Sequence, residues 1–468
     1  MKVLVGITNY GDGNRQYVER LIREYRTMSF DVDIVILSDR PKSFEGDVAV
    51  RVGVPSEDPW SLGFAHKQLF AEQKDNYDLF IYSEDDTLIT EANIRSFVEA
   101  TAVVPFPRIV GFMRYEEDED GKRYSSTVHS AFRWKPETVE RFGPYTVAEF
   151  TNEHAAAYIL TREQLRTAID SGGFLVPPHK EFYDLLCTAA TDPYTQCGMR
   201  KVVCISHLDD FLLHHMPNKY IGKLGVPLAE LQRQISALQQ LKKNRASNQL
   251  FPTEKSLLPL RRYDKQYYEP PPAYLAGLVD DCDHVLSIGC GWGKTEQELQ
   301  NKGLRVTAVP LDPVIAESAR WRGISIVNLP SNGQQPTLNG AFSENGSGTL
   351  LLSNVLQHVA DPQLLLDEAA HALSSTGRIV GICPNFAHLR RRGHRRLLRE
   401  QGYKETFLHP TDRRTLRRWF RVNNLKGRVS YVVAPKHKSL SKYTLGLLDF
   451  LIAKDLRFSV GVQRHETP

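Results

Sequence analysis

Apolar and polar positions fall in alternating blocks from the first residue. Apolar runs of strand length cover residues 3–7, 32–38 and 79–82, and between them residues 14–28 and 60–73 repeat apolar positions at helical spacing. This rhythm predicts a parallel sheet whose ligands bind beyond the carboxyl ends of its strands. Residues 228–243 form a polar helical run with Leu228, Leu231, Ile235, Leu238 and Leu241 on one face, and Pro270, Pro271 and Pro272 lie among the breakers that follow. A second strand series opens at Asp283 and continues through 306–309, 324–327, 349–353, 378–383 and 457–463. The expectation is two doubly wound α/β domains, residues 1–221 and 266–468, joined by a helical and proline-rich linker over 222–265.

Composition adds limits. A chain of 468 residues exceeds one ordinary core, and 41% hydrophobic with 24% charged residues reads as soluble and globular. The 6 cysteines form no CxxC pair, which argues against a zinc site or a disulfide framework and suits a reducing compartment. The opening apolar run is too short for a signal peptide, and the run 445–453, broken by Asp449, is too short to span a bilayer. A cytoplasmic protein is expected. Net charge is only +4, but residues 388–428 are rich in arginine. That region is either a solvated helical face or a patch for an anionic partner, which includes peripheral contact with the inner face of a membrane.

In the first half, Glu84, Asp85 and Asp86 follow a buried-type strand. Adjacent carboxylates at a strand end repel, and a divalent cation relieves that repulsion. With Thr8, the second strand ending at Ser38-Asp39 and the helical pair His66-Lys67, this half resembles GT-A glycosyltransferases over about residues 1–220. The resemblance implies a UDP- or GDP-sugar donor, with Thr8 and Asp39 near the nucleoside and Lys67 near the diphosphate. It implies Mn²⁺ or Mg²⁺ on Asp86 with Glu84 or Asp85, and His214 or His215 as a further ligand. Glu153 is the candidate base for the acceptor hydroxyl, with Asp209 or Asp210 as the alternative.

In the second half, Val285-Leu-Ser-Ile-Gly-Cys-Gly-Trp-Gly293 runs from an apolar strand into alternating glycines, a cradle for a nucleotide-like cofactor. With Leu350–Pro362, Leu364–Leu373 and Thr376–Gly381, this half resembles class I S-adenosylmethionine-dependent methyltransferases, so both domains are expected to be Rossmann-like. The tail segments Pro384–His388 and Phe407–Leu416 resemble methyltransferases of bacterial polysaccharide assembly. S-adenosylmethionine is the implied cofactor, with Gly289, Gly291, Gly293 and Asn354 at its site. Ser287 and Pro310 stand where relatives carry acids, and residues 327–331 hold none, so Asp312 is the remaining candidate for the ribose. His358 or His388 is the candidate base for a hydroxyl acceptor.

Together these features imply a bifunctional enzyme of polysaccharide or glycolipid assembly, acting on a glycan or lipid-linked saccharide. The alternative is a glycosyltransferase whose second half is a non-catalytic acceptor-binding or scaffold module. Nucleic-acid modification would use the arginines but leaves the first half unexplained.

Overall fold

A computed structural model describes residues 1–128, 132–180, 183–222, 224–244, 265–272, 276–279, 282–327, 338, 348–444 and 446–462. The chain divides into two compact units, Met1–Lys243 and Asn244–Pro468. The linker segment 245–264 and the acid-free segment 328–331 lie outside the described residues.

The first unit is built on a five-stranded sheet in the order Ala157–Thr161, Leu79–Glu84, Lys2–Asn9, Asp31–Ser38, Ala49–Val52. Its strands are parallel except for Ala157–Thr161, which runs antiparallel to Leu79–Glu84. Continuous apolar runs suit strands covered on both faces, and Val3, Val5, Ile7, Phe80, Ile81 and Tyr82 are all fully buried. The helix Arg15–Thr27 closes one face by burying Val18, Leu21, Ile22 and Tyr25 at three- and four-residue spacing.

The acidic triplet sits at a corner between sheets. Glu84 ends its strand, and three residues later Thr87–Leu88 joins the edge of a second five-stranded sheet beside Leu212–His215, which pairs on its other side with Met113–Glu117. The strand Gly225–Pro227 pairs with Arg123–Ser126 in that same sheet, and the helix Leu228–Asn244 buries Leu231, Ile235 and Leu238.

The second unit holds one seven-stranded sheet. Its order is Ser325–Ile326, Arg305–Pro310, His284–Cys290, Thr349–Ser353, Arg378–Pro384, Asp455–Val462, Leu425–Val432. The first five are parallel, and Asp455–Val462 runs antiparallel to both its neighbours. Winding starts at His284–Cys290 and proceeds first to one side, then to the other, which makes the carboxyl end of that strand the switch point of a doubly wound sheet. The arginine-rich region folds into helices Arg392–Gln401 and Arg413–Val422, the latter anchored by buried Leu416, Trp419 and Phe420. Among the described residues no helix is long and apolar enough to cross a membrane.

Candidate functional sites

The glycine loop lies at the switch point. Gly289 and Gly293 adopt φ of 82° and 85°, which residues with a Cβ rarely take. Gly293 also has no room, since a Cβ there would stand 2.9 Å from the Ala319 Cα. At Gly291 a Cβ would collide with the carbonyl of Tyr267. The chain's own segment 265–269 therefore crosses the loop: Trp292 N–H donates to the Tyr267 carbonyl and the Trp292 indole to the Glu269 carbonyl, each at 2.9 Å.

This strap carries Glu269 into the pocket, where its carboxylate accepts from Asn354 Nδ2 at 2.8 Å. Burial pushes the Glu269 pKa up to about 7, against the lowering effect of the Asn354 bond. Asn354 follows the strand Thr349–Ser353 with φ of 53°, a left-handed turn that asparagine tolerates better than most residues. Glu269, Asn354, Ser287, Leu311 and the glycine loop line a cavity of about 30 Å³. That volume holds roughly two waters.

The acid missing at position 287 is supplied from elsewhere. Ser287 Oγ donates to Glu296 Oε1 at 2.6 Å, both groups buried beneath the loop. Asp312 caps a turn through one of its carboxylate oxygens. Its Oδ1 accepts from the Val314 and Ile315 amides at 2.9 and 2.8 Å, capping the turn after Arg305–Pro310, and Leu311 rather than Asp312 lines the cavity.

Neither histidine candidate lines this cavity. His358 is buried, and desolvation drives its pKa well below the ordinary value. His388 Nδ1 accepts the Arg390 amide at 3.2 Å, and burial, followed by the charges of Arg391 and Lys454, lowers its pKa. A base held among cations at the start of a helical turn is poorly placed to take up a proton.

In the first unit the three acids fan out to separate partners, as successive residues leaving a strand must. Glu84 faces His154 Nε2 at 3.2 Å. Asp85 accepts from Asn9 and Asn14, both at 2.7 Å. Asp86 faces His215 Nε2 at 3.4 Å, while His215 Nδ1 meets Glu116 at 2.6 Å. Burial raises Glu84 to about 7 and Asp85 to about 6, and the expected repulsion persists: Asp86 adds to the rise at Glu84, and Asp86 and Glu84 to the rise at Asp85. Burial acts upward on Asp86 too, but His215 outweighs it and the Asp86 pKa falls; reciprocally, Asp86 and Glu116 overcome the burial of His215 and raise its pKa. Among the described residues no group of three or more His, Cys, Asp or Glu side chains is arranged to hold a metal ion. The expected cage of Glu84, Asp85, Asp86 and His214 or His215 therefore does not fit a metal as it stands, and His214 instead stacks on Tyr115 and bonds Asn218.

Lys67 is likewise elsewhere. It is buried against Phe64 and ion-paired with Asp192, sealed from any diphosphate. Thr8 is buried within its strand. Asp39 does sit at a strand's carboxyl end, accepting from the Gly11 amide at 3.0 Å and facing Lys42 at 3.3 Å. Lys42 also donates to Asn9 Oδ1 at 2.6 Å, joining Asp39, Asn9, Asn14 and Asp85 in one polar network. Glu153 accepts from Tyr183 Oη at 2.8 Å, and its carbonyl receives Lys201 Nζ at 3.0 Å. Burial lowers Lys201 to about 7, opposed by Glu153. Asp209 is exposed on the turn before Leu212–His215, at the end away from His215, and Asp210 lends its carbonyl to Asn93.

Sequence reasoning missed Lys42, Asn14, Glu116, Glu269 and Glu296. Glu269 had a legible signal: it stands directly before Pro270-Pro271-Pro272, which holds it extended.

The sheet order and the loop at its switch point are those of a class I, Rossmann-like methyltransferase domain, and residues 241–428 match the family described as a methyltransferase domain. The chain is similar to the ubiquinone biosynthesis O-methyltransferase of Xylella fastidiosa (strain 9a5c), with 29% identity over 97 residues, 20% of this chain and 39% of that protein. It is 28% identical over 96 residues to the protein of the same name from Xanthomonas oryzae pv. oryzae (strain PXO99A), 20% of this chain and 40% of the relative. The chain thus spans about two fifths of the curated relatives it matches. Similar solved structures include an S-adenosylmethionine-dependent methyltransferase from Mesorhizobium loti, with TM-score 0.31 and 14% identity over 41% of this chain and 96% of the other. Another is the 1,6-didemethyltoxoflavin-N1-methyltransferase of Burkholderia thailandensis with S-adenosylhomocysteine bound, with TM-score 0.28 and 16% identity over 41% of this chain and 76% of the other.

Proposed function

We propose that the second unit transfers a methyl group from S-adenosylmethionine to a sugar hydroxyl during polysaccharide or glycolipid assembly. The observation that carries this reading is the glycine loop at the switch point, with Asn354 and Glu269 converging on it. The bound cofactor would supply a methyl group on a sulfonium leaving group, so the protein's task is mainly alignment and exclusion of water. Gly289 and Gly293 would let backbone approach it, Asn354 would orient Glu269, and the strap would close over it.

The first unit is proposed to transfer a sugar from a UDP- or GDP-sugar, with Asp39 and its network at the nucleoside and Glu153 as the acceptor's base. Support comes from polar groups gathered at the carboxyl ends of parallel strands. No step is assigned to a metal. Carrying both activities on one chain would raise the effective concentration of the first product at the second site.

One observation favours the alternative of a non-catalytic second unit: the strap leaves only about 30 Å³ at the loop. Calorimetry of the full chain with S-adenosylmethionine separates the two. Binding supports methyl transfer, and no heat at millimolar cofactor removes it. Thermal shift with UDP- and GDP-sugars, with and without Mn²⁺, tests the first unit; no shift under any condition defeats the sugar-transfer reading.

A further inference from the structure

The helices Arg392–Gln401 and Arg413–Val422 border a cleft of about 880 Å³ that the proposed reactions do not use. Arg395 and Arg399 face it from one helix, Arg414 and Arg418 from the other, each pair four residues apart and so on one helical face. Two carboxylates line the same space, and both are already engaged. Asp361 Oδ1 caps the helix Pro362–Ala372 through the Gln363 and Leu364 amides. Asp412 Oδ1 caps Arg413–Val422 through the Thr415 amide at 2.8 Å, and its Oδ2 pairs with Arg395 and lies 3.9 Å from Arg399. Among the described residues Arg414 and Arg418 have no carboxylate partner.

Two further features point to an anion. The amino ends of two helices, of eleven and ten residues, open onto the cleft through Pro362, Gln363, Arg414 and Thr415. Helix amino ends carry partial positive charge, so arginines at 413 and 414 stand where an acid would normally be favoured. Like-charged pairs four apart on both helices add repulsion, which a bound polyanion would cancel. The guanidinium fork also matches phosphate oxygens bidentately, which an ammonium cannot.

We propose that this cleft binds the diphosphate group of a diphosphate ester. Arg414 and Arg418 are left uncompensated beside Arg399, whose carboxylate neighbour Asp412 is shared with Arg395 and a helix cap, so the cleft offers more donors than a single phosphate engages, and about 880 Å³ is in the range of small-molecule sites. The cleft also adjoins the glycine-loop cavity along the chain: Ser353–Val355 line one and Ala360–Gln363 the other. A diphosphate-bearing molecule seated here lies on the segment that leads to the loop.

The test uses the full chain and calorimetry with inorganic pyrophosphate. Arg414→Gln with Arg418→Gln should weaken binding at this site at least tenfold. The same charge loss at Arg417→Gln with Arg421→Gln, on the same helix outside the cleft lining, should leave it unchanged. An isoprenyl diphosphate competing with pyrophosphate identifies a lipid-linked source, and competition only by nucleoside diphosphates a soluble one; either supports the site. Equal losses in both double variants, no site sensitive to 414 and 418, or tighter binding of phosphatidylglycerol vesicles or single-stranded oligonucleotide than of pyrophosphate overturns it. Because S-adenosylmethionine binding is measured separately, failure here leaves the methyl-transfer reading standing, and the reverse holds.

Discussion

The Tyr267 carbonyl occupies the space that a side chain on Gly291 would need. The middle glycine of the loop is therefore required by the protein's own strap, whatever binds there. Gly291→Ala should push residues 267–269 off the loop, break the Trp292 amide bond to Tyr267, and destabilise the second unit by about 1–3 kcal/mol. Denaturant melts with limited proteolysis near residue 265 check this; an unchanged cleavage pattern and midpoint would contradict it.

Glu269 sets a pH dependence. Its folded pKa is raised from 4.5 to about 7, so the native state holds a proton that the unfolded chain releases between those values. Stability from this group is therefore present below about pH 4.5 and lost as pH rises towards 7. Glu269→Gln should match the wild type in acid and exceed it by about 1–3 kcal/mol at pH 8, as read from urea midpoints across pH. The variant should also weaken S-adenosylmethionine more than S-adenosylhomocysteine, if the carboxylate meets the sulfonium charge.

His215 has the same sign, in a higher pH window. Its pKa rises above 6.5 because Asp86 and Glu116 hold the imidazolium against burial, so its stabilisation is full below 6.5 and fades as pH climbs through the folded value. Proton NMR of the ring should show a midpoint above 6.5. Asp86→Asn should lower that midpoint, since it removes one of the two carboxylates.

Lys67 and Asp192 form a sealed ion pair. Lys67→Met alone leaves the buried Asp192 carboxylate facing only the His179 ring, 3.5 Å away, in place of the ammonium and should cost about 3–5 kcal/mol. Adding Asp192→Leu should recover much of that loss, a double-mutant coupling measurable by chemical denaturation. Full stability in Lys67→Met would place Lys67 in a different role.

Periodicity made most of both main sheets legible, because strands such as Lys2–Asn9 and His284–Cys290 are apolar throughout and end in polar or glycine turns. The loop Gly289–Gly293 was readable for the same local reason. Partners far apart in sequence were not. Asn9 and Asp85 are 76 residues apart, Glu116 and His215 99, and nothing in the triplet Glu84-Asp85-Asp86 says that each acid turns towards a different neighbour. The strand Leu425–Val432 escaped notice because it alternates charged and apolar residues beside an arginine-rich helix. The capping of the Val314 and Ile315 amides by Asp312 was not legible from its nearness to Pro310 in sequence.

The bond from Ser287 to Glu296 means that the carboxylate beneath the loop arrives from the helix rather than the strand. Changed singly, either residue strands a buried polar group, so a tolerated change at one calls for a matching change at the other. Selection thus acts on the two codons as one locus. Descendants of this gene should move acid between strand and helix only in paired steps, and a lineage carrying an acid at both sites or at neither should have altered the loop above them.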